Sequence, residues 1–445
     1  MVQQKMSIFR AYDIRGIYGK DLTEEIMTLI GQAAGTLNPG TFTIGRDFRE
    51  HGAQLETAFV SGLKKTGSSA NLIGNCPPSL CVFANWKMKN DAAAYITASH
   101  LPAQWNGVKF FHQDGVGFFE DENKKLGEIS SSGKFKTGKG SAKKLEGIDE
   151  EYANFVAEKI KPERINVVVD FGNGAACLLV PKLLNKIGVT SSFLFDWPDP
   201  SFSNRDPEPK PEALTALCKK VVAEQADLGI AFDGDGDRAV FVDDVGKVIM
   251  TEQSAILFIR EIMKNHKGPV VANIECSDMI EEEVKKYGEK VFRIPVGHTF
   301  LVQETKKHKA VFGVEKSGHI CVPQFFLFDD AIMNSMFMAE IVSKMGRKLS
   351  EVLKELPSRF FERIEIKCLD ETKFQVIQKI KEKTLGIYKN VDTMDGVKVI
   401  FPDSWALIRA SNTSPMLRLS IEARSQKRLS ELKLEMNRLI ESVIV

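Results

Sequence analysis

Leu228-Gly229-Ile230-Ala231-Phe232 is a short apolar run that ends in Asp233-Gly234-Asp235-Gly236-Asp237-Arg238. A run of this length, closed by glycine and acidic residues, reads as a buried strand. Three carboxylates alternating with glycines can bend around one hard cation, while the glycines take backbone conformations that other residues adopt only at a cost. Mg²⁺ is the cation this oxygen set suits; the plain alternative is a solvated turn. An EF-hand calcium loop also begins D-x-D-x-D. Here its sixth position is Arg238 instead of glycine and its twelfth is Asp244 instead of glutamate, and strand-like runs flank it where helices belong.

Outward from this stretch, the same pattern recurs. One unit runs through Thr41 to Asp47, Ala70 to Gly74 and Ala93 to Ser99. The next uses Ile165 to Asp170, Ser192 to Asp196 and Leu228 to Asp233, and the third Val270 to Glu275, Lys290 to Val296 and Ala310 to Val314. Helical stretches such as Glu281 to Tyr287 lie between them. Alternation of this kind predicts three similar doubly wound α/β domains with largely parallel sheets, over residues 1–147, 148–248 and 249–358. Ser130 to Gly147, rich in lysine, glycine and serine, reads as an exposed, partly flexible connection. After Ser358 the order changes: a strand at Arg363 to Cys368, a helix from Glu371 to Leu385, strands near Val397 to Ile408 and Leu417 to Ala423, and a helix from Gln426. Residues 359–445 are therefore expected to form a C-terminal α+β domain with an antiparallel sheet.

Each unit's third strand runs into a polar loop: Thr97-Ala98-Ser99-His100, the acidic loop, and Glu315-Lys316-Ser317-Gly318-His319. Ligands of open α/β sheets bind outside the carboxyl ends of the strands. The three loops are therefore expected to converge on one cleft.

At 445 residues, with 43% hydrophobic and 27% charged residues, the chain has the composition of an ordinary multidomain globular protein. A formal net charge of +1 leaves no global basic field for nucleic acid or an anionic membrane, so any anion site must be local. Seven cysteines without a CxxC pair argue against a disulfide framework and a zinc site, and for reduced thiols. Met1 to Arg10 lacks the features of a secretory signal, and no stretch approaches the roughly 18 apolar residues of a membrane span. A cytoplasmic monomer or homodimer acting on small molecules is expected.

Ser99 stands where a transferable phosphate could be carried, although a serine at a strand-to-helix turn is commonly a helix cap. Phosphoryl transfer also needs a cation and a positioned acid or base, for which Lys109 and His319 are available. Arg409-Ala410-Ser411-Asn412-Thr413-Ser414-Pro415 gathers a guanidinium, hydroxyls and an amide on one turn, a set suited to phosphate. An ordinary polar turn with a surface arginine is the other reading. Glu315, Ser317 and His319 can reach sugar hydroxyls by paired donor and acceptor contacts, and His298 stands near enough in sequence to join them. Two motifs fail. Gly133 to Lys139 spells G-x-x-x-x-G-K, but Gly140 comes next where a Walker A loop needs serine or threonine. Asp170-Phe171-Gly172-Asn173-Gly174 lacks the third glycine of a dinucleotide fingerprint.

Together these loops, with Ala11-Tyr12-Asp13-Ile14-Arg15-Gly16 ahead of them, resemble the α-D-phosphohexomutase family, in particular its phosphomannomutase/phosphoglucomutase branch. The resemblance spans nearly the whole chain and keeps the family's motif order. It implies a heart-shaped molecule with a central active site, and Ser99 as the phosphoserine that completes a Mg²⁺ site with Asp233, Asp235 and Asp237. It implies Glu315 and Ser317 as readers of sugar hydroxyls, and Arg409, Ser411, Asn412 and Thr413 as holders of the non-reacting phosphate, with Tyr12 and His298 beside the substrate. Lys109 resembles the general base, and Arg15, His100, Arg238 and His319 would support the transfer. The implied reaction interconverts hexose 1-phosphate and hexose 6-phosphate through a hexose 1,6-bisphosphate that also serves as activator. Two features depart from the family. Ser99-His100-Leu101-Pro102 replaces Ser-His-Asn-Pro, and the sugar loop carries Val314 before Glu315 and Lys316 after it. They bear on rate and sugar preference. Rival readings are a phosphoglucosamine mutase, whose phosphate loop usually reads Ser-Gly-Thr, a sugar-phosphate-binding protein without turnover, and a phosphatase using Asp233 and Asp235.

Overall fold

The computed structural model describes residues 8–10, 12–411 and 415–444. Strands β1 (Ile14–Ile17), β2 (Thr41–Arg46), β3 (Ser69–Asn75), β4 (Ala92–Ile96), β5 (Trp105–His112) and β6 (Ala142–Lys144) form the first sheet, ordered β1-β5-β4-β2-β3-β6. The second contains β7 (Asn166–Asp170), β8 (Thr190–Leu194), β9 (Leu228–Phe232) and β10 (Ala239–Asp243), ordered β10-β9-β7-β8. The third contains β11 (Val270–Asn273), β12 (Val291–Ile294), β13 (Phe312–Val314) and β14 (Ile320–Cys321), ordered β12-β11-β13-β14.

The three sheets share one plan. In each, the strand that leads the unit's three-strand repeat lies between the other two, and these three run parallel. The last of the three is then joined by an antiparallel return strand, which is β5, β10 or β14. Sheets are therefore mixed, not wholly parallel. Each chemistry-bearing loop is a hairpin connection into the return strand and does not open a helix, so the helix-cap reading of Ser99 falls away. A short hairpin fixes both ends of its loop on hydrogen-bonded strands, which holds side chains more firmly than a loop on a helix end.

β15 (Phe360–Lys367), β16 (Val391–Asp392), β17 (Val397–Ile400), β18 (Ser404–Ala410) and β19 (Met416–Ala423) make the fourth, antiparallel sheet, ordered β15-β19-β18-β17-β16. Period-two alternation divides it into two faces. Ile408, Leu419 and Ile421 pack with Ile380, Leu432 and Met436 of the helices Lys373–Ile387 and Gln426–Ile444. Trp405 and Leu407, on the opposite face, pack on Ile274 of the third unit. A larger apolar core runs through the first three units, joining Phe83, Phe171, Phe258 and Phe312.

Residues 130–147 are largely exposed, as expected of a connection, but carry more regular structure than expected. The helix Glu120–Ser132 runs into them, and β6 then adds an edge strand parallel to β3. The glycines there serve close packing: a Cβ on Gly138 would stand 2.6 Å from the Gly67 Cα, and one on Gly140 would stand 1.8 Å from the Ser68 carbonyl oxygen. No helix among the described residues is long and apolar enough to cross a membrane.

Candidate active site

β4, Ala92-Ala93-Ala94-Tyr95-Ile96, is buried at every residue and delivers Thr97 and Ser99 at its carboxyl end. Ser99 has φ 52°, in the left-handed region that residues other than glycine seldom occupy. Its surroundings hold it there. The Ser99 N–H donates to Thr97 Oγ1 (2.7 Å), and its carbonyl accepts from Arg49 Nη2 (2.6 Å). Arg49 also donates to the carbonyls of Leu101 (2.7 Å), Pro102 (2.8 Å) and Trp105 (3.0 Å), and to Asp47 Oδ2 (3.0 Å). The Ser99 Oγ is 3.3 Å from His100 Nδ1. Burial, reinforced by Arg238 and Arg15, holds His100 well below the usual histidine range, so a neutral imidazole stands beside the serine.

The acidic loop lies against this serine loop. Asp233 Oδ1 accepts the N–H groups of Gly236 (2.9 Å) and Arg238 (3.2 Å), and its Oδ2 accepts Arg238 Nε (3.0 Å). Thr97 Oγ1 lies within hydrogen-bond reach of Asp47 Oδ2 (2.7 Å) and Asp235 Oδ2 (3.2 Å), which share its single proton. One oxygen from each of Asp233, Asp235 and Asp237 lies within 4.8 Å of the others. Asp235 Oδ1 and Asp237 Oδ1 are buried and take no hydrogen bond within the described structure. Burial, then the charge of Asp237, pushes Asp233 well above the usual carboxylate range. Crowded, buried, partly unsatisfied carboxylates of this kind fit a hard divalent cation, whose charge would offset their repulsion.

The return strand brings Lys109 back to this point. It pairs opposite Tyr95, and Nζ donates to Asp237 Oδ2 (2.6 Å) and Asp235 Oδ2 (3.1 Å). Burial pulls the Lys109 pKa down, but Asp235 and Asp237 outweigh it and hold the amine above the ordinary lysine range. Here Lys109 is a charged donor, and the general-base role expected of it would first require loss of that proton. Arg15, on the neighbouring β1, is 2.6 Å from Asp13.

In the third unit, Glu315 Oε1 accepts the Gly297 N–H (2.6 Å) and Asn273 Nδ2 (3.2 Å), while Ser317 Oγ donates to Oε2 (3.2 Å). His319 Nδ1 lies 2.7 Å from Asp329 Oδ2, and His298 Nδ1 lies 4.0 Å from the same oxygen. The two imidazoles stack at 5.6 Å, with Tyr12 edge-on to His298 at 6.4 Å. Burial raises Asp329 to about 7 and lowers His298 to about 4. Tyr12 also reaches the third unit through its hydroxyl, which donates to the Val296 carbonyl (3.1 Å). Burial, then the charges of Asp395 and Glu315, raise its pKa, with Arg409 opposing them. Tyr12 is thus where the first, third and fourth units meet.

In the fourth unit Arg409 pairs directly across from Arg418, and both have a buried Nε without a hydrogen-bond partner in the described structure. Like charges facing across strands destabilise a sheet unless an anion lies between them. Ser411 is buried beside them; Asn412 and Thr413 lie outside the described residues. Glu275 of the third unit faces this cluster. Burial would raise its pKa, but Arg363 and Arg409 hold it down at about 2.

Ser99, Lys109 and the three aspartates therefore form one contiguous cluster through Thr97, and His298, Glu315, Ser317 and His319 form a second, which abuts the first where a Cβ on Gly318 would stand 3.9 Å from the Arg238 Cβ. Sequence reasoning missed Asp47, Arg49, Thr97, Asp329 and Arg418. Arg46-Asp47-Phe48-Arg49, a charged tetrapeptide just past a buried strand, was a usable signal for the first two. Asp329 announced itself only as the first of a pair of aspartates before the helix Ala331–Ser343.

Family models match the chain end to end. Phosphoglucomutase/phosphomannomutase alpha/beta/alpha domain I covers residues 6–137, domain II 146–246, domain III 251–360, and the C-terminal domain 364–439. A probable phosphoglucosamine mutase of Methanopyrus kandleri is 36% identical over 96% of both chains. A phosphoglucomutase/phosphomannomutase of Thermococcus kodakarensis is 33% identical over 95% of this chain and 96% of its own. The crystal structure of a phosphoglucomutase/phosphomannomutase family protein from Burkholderia thailandensis superposes with a TM-score of 0.91 at 28% identity, covering 98% of each chain. With four domain models in order and relatives above 30% identity along nearly its whole length, the chain belongs to the phosphoglucomutase/phosphomannomutase family of the α-D-phosphohexomutase superfamily.

Proposed function

We propose that the protein is a phosphohexomutase that interconverts hexose 1-phosphate and hexose 6-phosphate, of mannose or glucose, by way of a phosphorylated Ser99. The observation that carries this reading is the contact between the serine and acidic loops through Thr97, which puts a nucleophile-bearing loop and three buried carboxylates in one cluster. Mg²⁺ held by Asp233, Asp235, Asp237 and the phosphorylated serine would supply positive charge to the phosphoryl oxygens.

Arg409 and Ser411, with Asn412 and Thr413, hold the non-reacting phosphate, and Glu315 and Ser317 orient the sugar. The Ser99 phosphoryl group moves to the free sugar hydroxyl: the P–Oγ bond breaks, a new P–O bond forms, and the hydroxyl proton leaves to a base. His319, whose Nδ1 lies 2.7 Å from Asp329 Oδ2, is the available base, while charged Lys109 stabilises or protonates the departing Oγ. The bisphosphate turns over and returns its other phosphate to Ser99, so hexose 1,6-bisphosphate is both intermediate and activator. The seven cysteines are unpaired, which supports a cytoplasmic setting.

A second reading, phosphoglucosamine mutase, is favoured by the 36% identity to the Methanopyrus relative of that description. A coupled assay for glucose 6-phosphate from glucose 1-phosphate, with Mg²⁺ and catalytic glucose 1,6-bisphosphate, tests the main proposal. Turnover is expected, and it is lost in Ser99→Ala and Asp235→Ala. Turnover confined to glucosamine phosphates would select the second reading, and none with any hexose phosphate would contradict both.

A further inference from the structure

Lys316 stands between the two residues assigned to the sugar, Glu315 and Ser317, yet its side chain is engaged elsewhere. Nζ lies 2.7 and 2.9 Å from the two oxygens of Glu252, a fully buried carboxylate on the helix Thr251–Ile262, and 4.1 Å from the centre of the Phe361 ring. Phe361 belongs to β15, the first strand of the fourth unit. Glu252 Oε1 also accepts the Ser277 N–H (3.1 Å). Ser277 Oγ in turn donates to Glu422 Oε1 on β19 (2.8 Å), an oxygen that also accepts Trp405 Nε1 (3.0 Å). A chain of buried polar contacts therefore runs from the sugar loop, through the helix bearing Glu252, into two strands of the fourth unit. The loop backbone is tied to the same helix, since Thr251 Oγ1 donates to the Lys316 carbonyl (3.3 Å).

We propose that Lys316 is a positioning residue that couples the sugar-reading loop to the seating of the fourth unit, so that Glu315 and Ser317 are in place when Phe361 and Glu422 are docked. A buried lysine paired with a buried carboxylate adds little net stability but permits only one geometry, which is what such a coupler needs. The ammonium over the Phe361 ring gives the pair a sensor for the fourth unit's position. This rests on the reading that the loop holds a hexose phosphate whose phosphate sits on Arg409. The two ends of one ligand would then be grasped together, by a loop and a domain that move as one.

Coupling is tested first without ligand, by amide hydrogen exchange of residues 315–319 in the whole protein. Phe361→Leu, a change in another domain, raises exchange there several-fold, as does Lys316→Met. The double variant is no faster than the quicker single, Lys316→Arg stays near wild type, and β11 amides are unchanged in all of them. Unchanged exchange at 315–319 in Phe361→Leu overturns the proposal. In the mutase assay, Lys316→Met raises KM for hexose 1-phosphate about tenfold while kcat falls less than about threefold, and Lys316→Arg restores KM. A thermally weakened Lys316→Met with wild-type KM would mean a merely structural lysine. Should wild type turn over no hexose phosphate, the mutase reading fails, and the exchange measurement still decides the coupling.

Discussion

Ser99 shows how much of a site can hang on one strained residue. Its positive φ is kept by contacts that enclose it: Thr97 Oγ1 accepts its N–H, and Arg49 donates to its carbonyl and to those of Leu101, Pro102 and Trp105. Strain of this sort costs about 1–2 kcal/mol for a residue with a Cβ, and glycine escapes it. Ser99→Gly and Ser99→Ala both remove the proposed nucleophile, so both are expected to abolish turnover. Ser99→Gly should nevertheless be the more stable of the two by about 1 kcal/mol in urea unfolding. Equal stabilities would mean that the left-handed conformation carries no strain. Ser99 stood out in the sequence as the proposed nucleophile because a hydroxyl beside an apolar strand is visible as a residue type. Arg49 was not, because its acceptors are mostly backbone carbonyls some fifty residues away, and every residue has a carbonyl.

At the scale of elements, the apolar runs and the polar loops that end them were readable, while the antiparallel return strands did not stand out as partners of the strands before them. Asn106-Gly107-Val108-Lys109 is conspicuous in the sequence for its lysine, yet its pairing with β4 is what carries that lysine back onto the aspartates. Residues 130–147 are largely exposed, as their lysine, glycine and serine suggest, but the close packing within them did not show in sequence: two of the glycines are there because Gly67 and Ser68 leave no room for a side chain. Gly140→Ala should therefore destabilise the protein by about 1–3 kcal/mol, read as a lower denaturation midpoint. Lys139→Ala, at the exposed position of the would-be nucleotide lysine, should change stability by less than about 0.5 kcal/mol and leave activity intact. A large loss of activity in Lys139→Ala would reopen the phosphate-loop reading of that stretch.

For the whole molecule, the threefold repeat and the change of character near residue 358 were visible, because each depends on periodicity. The seating of the fourth unit on the third was not, because it uses buried charges that look like surface residues in sequence. Lys398 donates to the Ile274 carbonyl across that boundary, with Nζ 4.2 Å above the Trp405 ring. Burial, then Arg293, lowers its pKa from 10.5 to about 8. Between pH 8 and about 10.4 the unfolded chain binds this proton more readily than the folded one, so the Lys398 contribution to stability improves as pH rises. Lys398→Met should accordingly be more favourable, relative to wild type, at pH 7 than at pH 10, by about 2.5 kcal/mol. A pH-independent difference between the two proteins would show that Lys398 is not desolvated at this boundary.

Convergence of the loops of the separate units, so that phosphate passes through Ser99, is best checked by following the phosphate. The protein is incubated with glucose 1,6-bisphosphate carrying labelled phosphate, then digested and mapped. Acid-stable label is expected on the peptide containing Ser99, lost when unlabelled hexose 1-phosphate is added and absent in Ser99→Ala. Hydroxylamine-labile label on Asp233 or Asp235, or no label on the Ser99 peptide, would contradict passage through Ser99.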